Sequence, residues 1–271
     1  MIVRAPATSA NLGPGFDCAG VALDLWNELE LTPGAGVSVE GEGAGELPED
    51  ESNLAVRAYE LLADPAGRRF RFVNRIPLES GLGSSAAAIA LGLRAAAPDA
   101  SDEDLLTLAL TLEPHADNLA AALAGGVTLT WDGRIARIAG TLPLQPVALV
   151  PASRTSTAAA RESLPAEIKH ADAAFTVGRA TLLGAGAAGG RADLFAAALD
   201  DRVHEPFRDS SLVRELRSRL PAGARGATLS GSGPAVIVWA ENAAACASDL
   251  EKRYPEHRVL ALRVASRGAH A

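Results

Sequence analysis

The sequence predicts an α+β protein of two lobes, and three observations carry that reading. Short alternating or apolar runs with strand character occur in both halves. Helix-length runs with capping residues lie between them. The pattern then restarts past Pro143, so the division is expected at residues 1–143 and 144–271. At 271 residues and 48% hydrophobic content, the chain can bury the cores this requires.

The elements follow in order. Residues 21–31 are rich in apolar side chains and enter a strand. Residues 34–45 are punctuated by glycine around Val37-Ser38-Val39-Glu40, which alternates as a hairpin strand does. Ser52-Asn53 caps a helix over residues 54–62. Phe70-Arg71-Phe72-Val73 alternates again and is stopped near Pro77. Residues 84–97 form an alanine-heavy, largely buried helix closed by Pro98. Ser101, with acids at 102–104, caps a helix through residue 112, because a hydroxyl accepts an unpaired N–H and the acids meet the positive helix end. Gly125-Gly126 separates a third helix from a strand over 127–131. In the second half, strands are expected at 146–150, near 227–229, at 235–239 and at 258–264. Helices are expected around 170–184, 191–203, 209–219 and 243–253.

Charge and composition narrow the function. With 25 basic and 33 acidic residues the net charge is −8, which argues against a protein that coats nucleic acid or an anionic membrane. The two lysines, Lys169 and Lys252, follow no glycine-rich loop. That excludes a Walker A loop and the strand lysine of protein kinases. Cys18 and Cys246 offer neither metal-ligand spacing nor a disulfide framework. Arg94 interrupts the best apolar run, and the N-terminus lacks a compact apolar leader, so a cytoplasmic protein is expected.

Three segments are candidates for chemistry. Pro77-Leu78-Glu79-Ser80-Gly81-Leu82-Gly83-Ser84-Ser85-Ala86-Ala87 lies between a strand and a helix. Its glycines let backbone wrap an anion, and the helix start aims unpaired N–H groups at it. The alternatives are an ordinary serine-capped turn, a dinucleotide fingerprint in the wrong context, and a nucleophile elbow one glycine short. Leu229-Ser230-Gly231-Ser232-Gly233-Pro234, between two apolar strands, reads alone as a tight turn. Pro6-Ala7-Thr8-Ser9-Ala10-Asn11-Leu12-Gly13-Pro14-Gly15-Phe16-Asp17 is a polar, glycine-rich loop in which Asn11 and Asp17 either form turns or project into a site.

In this order the three segments resemble the motifs of the GHMP kinases, the superfamily of galactokinase, homoserine kinase and mevalonate kinase. Finer features are similar to the homoserine kinase branch: residues 5–17, Glu113-Pro114-His115-Ala116-Asp117-Asn118, Ser156-Thr157-Ala158-Ala159-Ala160-Arg161 ahead of Leu164-Pro165, and Glu205-Pro206-Phe207-Arg208. The Asp and Lys pair of other branches does not fit the lysine census. The resemblance implies a ribosomal-protein-S5-like N-terminal lobe, a ferredoxin-like C-terminal lobe, and a site between them. It implies phosphoryl transfer from ATP to the side-chain hydroxyl of L-homoserine, giving O-phospho-L-homoserine for threonine biosynthesis, in a homodimer. Another small-molecule kinase of the superfamily, or a non-catalytic nucleotide-binding homologue, is the alternative.

The resemblance also implies roles. Pro77, Ser80, Gly81, Leu82, Gly83, Ser84, Ser85, Ala86 and Ala87 cradle the ATP phosphates, and Asn53 contacts adenine or only caps its helix. Ser85 and Glu113 hold Mg²⁺, an ion needing few protein oxygens when phosphates supply the rest. Arg161 and Arg208 suit the substrate carboxylate, since guanidinium forks bind it in two places. Asp17 and Asp117 suit its ammonium, while Asn11 and Asn118 orient its hydroxyl. His115, Thr157, Gly231 and Gly233 complete the pocket. Glu113, Asn11 and Asn118 are the expected catalytic groups, and no general base stands out.

Overall fold

The computed structural model describes residues 1–154, 157–208 and 211–271, with the side chains of 157–159 outside the description. In the first lobe the chain forms strands β1 (Ile2–Asn11), β2 (Gly15–Pro33) and β3 (Gly36–Gly41), helix α1 (Leu54–Glu60) and strand β4 (Arg68–Asn74). Helices α2 (Ser84–Ala96), α3 (Asp102–Ala109) and α4 (Ala116–Ala124) follow, then strands β5 (Val127–Trp131) and β6 (Arg134–Ala139). The second lobe contains β7 (Gln145–Val150), α5 (Thr157–Glu162), α6 (His170–Ala188), α7 (Ala192–Ala198), a 3-10 turn (Glu205–Phe207), α8 (Ser211–Ser218), β8 (Ala224–Leu229), β9 (Val236–Ala240), α9 (Ala243–Arg253) and β10 (Arg258–Ala261).

The first sheet runs β3-β4-β2-β5-β6, with β1 paired to β2; the second is a four-stranded antiparallel sheet, β10-β7-β9-β8. Two sheets with helices in both halves make the two-lobed α+β architecture the sequence predicts. Three details differ. The first half of the N-terminal polar segment belongs to strand β1, whose Ala5, Ala7 and Ala10 are buried. β3 lies parallel to β4, pairing Val37 with Phe70 and Val39 with Phe72, so it forms no hairpin with its neighbour. The helix expected over 191–203 ends at Ala198, because the Asp201 carboxylate gathers the N–H groups of Val203, His204 and Glu205 into a capped turn.

α2 is the centre of the first lobe, and its composition explains why. Ala86, Ala87 and Ala90 leave room for close neighbours, while Ile89, Leu91 and Leu93 fill the core. Arg94 is buried, and its Nη atoms are held by the carbonyls of Pro98 and Ala100 at 3.2 and 2.7 Å and by Asp102, while its Nε has no partner. Past β10 the chain returns to the first sheet, bridging Leu23 to Val264 and Arg4 to His270. No described helix is long and apolar enough to cross a membrane.

Candidate active site

The three glycine-bearing segments, up to about 220 residues apart, meet through backbone bonds. Thr8 N–H donates to the Leu82 carbonyl at 3.0 Å, and Ala235 N–H donates to that of Ser80 at 2.9 Å. Gly231 N–H donates to Ala10 at 3.2 Å. Ser230 Oγ lies 2.8 Å from both Ser9 Oγ and the Gly81 carbonyl. The turn between β8 and β9, which in isolation reads as a tight turn, is therefore the clamp that holds the phosphate-type loop against β1.

A cavity of about 650 Å³ opens beside this junction, lined from both lobes. Along one wall the glycine loop delivers the start of α2. Gly81 and Gly83 have φ of +86° and +69°, a region L side chains rarely adopt. A β-carbon at Gly83 would overlap Thr8 Oγ1 and lie 3.2 Å from Asn118 Oδ1. No side chain caps α2, whose N-cap is Gly83, so its first N–H groups and positive dipole end are left for an anion. Ser80, Gly81, Gly83, Ser84, Ser85 and Ala86 line the cavity. Pro77, Leu82 and Ala87 are buried and do not; the latter two pack in the core and shape the loop from behind.

α4 begins beside the same loop, with Asn118 close to Gly83. His115 occupies its N-cap position, and Asp117 and Asn118 lie in its first turn. His115 Nδ1 pairs with the Glu113 carboxylate, an interaction that raises the imidazole above its usual range despite partial burial. Asp117 accepts the Asn118 N–H at 2.7 Å and faces a helix start, both of which favour its charge. Burial outweighs them and pushes the carboxyl up to about 6. Asn118 Oδ1 accepts the Thr8 hydroxyl at 2.7 Å, which leaves its NH₂ group toward the cavity.

Asn11 is more occupied than its sequence role suggests. Its Nδ2 donates to the Gly231 carbonyl at 3.1 Å and its Oδ1 accepts the Asp17 N–H at 3.0 Å. Arg208 Nη1 donates to the same Gly231 carbonyl at 2.6 Å. Burial lowers the Arg208 pKa from its ordinary value. Arg161 pairs with Asp17 across the cavity mouth. Among the described residues five non-glycine residues have positive φ, and three of them, Asn11, Asp17 and Glu79, line this cavity. Backbone held in costly conformations around one pocket marks a site the surrounding structure has to over-determine.

Asn53 caps its helix, its Oδ1 accepting the Ala55 N–H at 3.0 Å, and the residue also lines the cavity. Gly231 lines it too, whereas Gly233 sits behind, packed on Leu229. Ser156 and the side chain of Thr157 lie outside the described residues. Sequence reasoning missed the wall beyond Asn53, where Asn27, Asn74, Phe72, Leu47 and Pro48 close the cavity. Asn27 is the one with a legible signal, a buried amide in an apolar strand; its Oδ1 accepts the N–H groups of Arg75 and Ile76 at 2.7 and 3.0 Å. Glu46 and Arg154, a surface pair joining the lobes at 2.6 Å, were also missed.

Ser85 and Glu113 border the same cavity, and one hydroxyl with one carboxylate is a donor set that suits Mg²⁺ when phosphate oxygens and water complete the octahedron.

Residues 53–126 match the family described as GHMP kinases N terminal domain. The homoserine kinase of Clavibacter michiganensis subsp. michiganensis is 42% identical over 87% of this chain and 81% of its own length. That of Wolinella succinogenes is 35% identical, covering 99% of this chain and 98% of its own. Among solved structures, homoserine kinase from Cytophaga hutchinsonii superposes with a TM-score of 0.87 at 28% identity, over 99% of this chain and 96% of that one. A mevalonate kinase from L. major, 17% identical, shares the fold at a TM-score of 0.70.

Proposed function

The chain belongs to the homoserine kinases of the GHMP family, and on that premise we propose how its cavity moves a phosphoryl group from ATP to the side-chain hydroxyl of L-homoserine. The observation that carries the reading is the junction of the three glycine-bearing segments at the uncapped start of α2. An anionic triphosphate lies along that loop, with adenine toward Asn53, Asn27 and Asn74. Ser85 and Glu113 hold Mg²⁺. Bound there, the ion neutralises charge that develops on the phosphates during transfer.

Homoserine occupies the other end. Its carboxylate meets Arg161 and Arg208, and its ammonium meets Asp17 and Asp117. Its hydroxyl faces the free NH₂ of Asn118, while Asn11 acts chiefly by holding Asp17 and Gly231 in place. The new O–P bond forms as the γ-phosphoryl leaves the β-phosphate oxygen, and the hydroxyl proton passes to a phosphate oxygen. A loose transition state asks for alignment more than for a base, and the rigid loop and the substrate clamp supply it. The same reading takes the enzyme as a cytoplasmic homodimer whose lobes divide near residue 143.

Arg161→Ala and Arg208→Ala test the division of the pocket. Losing a charge-assisted contact to a carboxylate costs about 1.5–3 kcal/mol, so KM for homoserine should rise roughly tenfold or more with KM for ATP nearly unchanged. Steady-state kinetics with each substrate varied in turn checks this. Weakened ATP binding with unchanged homoserine binding would reverse the two ends of the site.

A further inference from the structure

Phe16 precedes Asp17 at the cavity mouth, and three side chains approach its ring. The His204 imidazole stacks on it, with centroids 5.0 Å apart and planes 20° from parallel. The guanidinium carbons of Arg161 and Arg208 each stand over the ring, 5.6 Å from its centroid. We propose that Phe16 is a positioning residue, an aromatic platform that holds Arg161 and Arg208 together as a two-cation clamp for the substrate carboxylate. The proposal rests on the reading that these arginines receive that carboxylate.

Two guanidinium groups converging on one subsite repel each other, and Arg208 is also largely removed from water. The negative face of a phenyl ring offsets part of that repulsion. Arg161 also pairs with the Asp17 carboxylate and Arg208 Nη1 donates to the Gly231 carbonyl, so the ring steadies two groups whose donors are already partly engaged. The residue stacked on the ring fits this role. His204 is fully buried, and its Nε2 lies 2.7 Å from the Gly13 carbonyl. Burial holds the imidazole down to about 4, so at neutral pH it adds no third positive charge beside the ring. The Asp201 carboxylate in turn accepts the backbone N–H of His204 at 2.7 Å, tying the platform to the capped turn that leads to Arg208.

The test replaces Phe16 with 4-fluoro-, 3,5-difluoro- and 3,4,5-trifluorophenylalanine, which drain the ring face of negative charge while nearly keeping its shape. KM for homoserine should climb stepwise, to roughly fivefold for the trifluoro ring, with kcat and KM for ATP close to wild type. Phe16→Tyr should stay near wild type and Phe16→Leu should exceed the trifluoro variant. A KM that is flat across the series, or that follows melting temperature instead of fluorination, overturns the proposal. Arg208→Ala separates the two layers of inference. If it raises KM for homoserine while the fluorinated series is flat, only the platform falls; if it leaves that KM unchanged, the carboxylate reading itself is wrong.

Discussion

Gly81→Ala is expected to lower kcat/KM by more than about a hundredfold, the larger part through lost alignment of ATP. Gly81 sits at φ +86°, and a β-carbon there would overlap the Ser230 carbonyl oxygen and stand 2.9 Å from that of Gly233. Both neighbours are backbone of the clamping turn, so neither can rotate away. Left-handed geometry costs an L residue about 1–2 kcal/mol, and displacing the clamp adds to it. Gly67→Ala supplies the control. Its φ is +72°, but a β-carbon there meets nothing within 4 Å. That variant should lose a little stability and keep its kinetics. If Gly81→Ala stays within threefold of wild type, the loop and turn do not act as one unit.

Glu113→Gln is expected to cut kcat by a hundredfold or more, on the order of 3 kcal/mol of lost transition-state stabilisation, with partial recovery at raised Mg²⁺. The substitution keeps size and one oxygen while removing the charge. Because Glu113 also pairs with His115, the loss could travel through the imidazole. His115→Ala distinguishes the routes, since it breaks the pair and leaves the carboxylate. Activity titrated against Mg²⁺ should shift for Glu113→Gln and not for His115→Ala. Superimposable curves for wild type and Glu113→Gln would remove Glu113 from the metal site.

How much of this was legible in the sequence depended on whether a residue's role is local. The glycine loop announces itself because Gly81, Gly83 and the serines after them form one contiguous turn of the kind that suits an anion. Ser101 and Asn53 announce helix starts for the same reason. Ser230 does not: its meaning comes from Ser9 and Gly81, which reach it only after the lobes have folded together. The wall beyond Asn53 was hidden because Asn27 comes from β2 and Phe72 and Asn74 from β4, strands whose local patterns describe a sheet and nothing more. β3 alternates as a hairpin strand does yet pairs in parallel with β4, because alternation reports a half-exposed strand without reporting its partner's direction. Phe16 has no local signal either: its partners His204, Arg161 and Arg208 come from about 145 to 190 residues away.

On the reading proposed above, one cavity joins ATP to homoserine. The most direct measurement is ADP release by the purified protein in Mg²⁺ and ATP, with and without L-homoserine, alongside phosphorus NMR of the product. ADP release should rise far above the background on adding homoserine, matched mole for mole by O-phospho-L-homoserine. Equal rates with and without homoserine, from protein that binds ATP, would contradict the account.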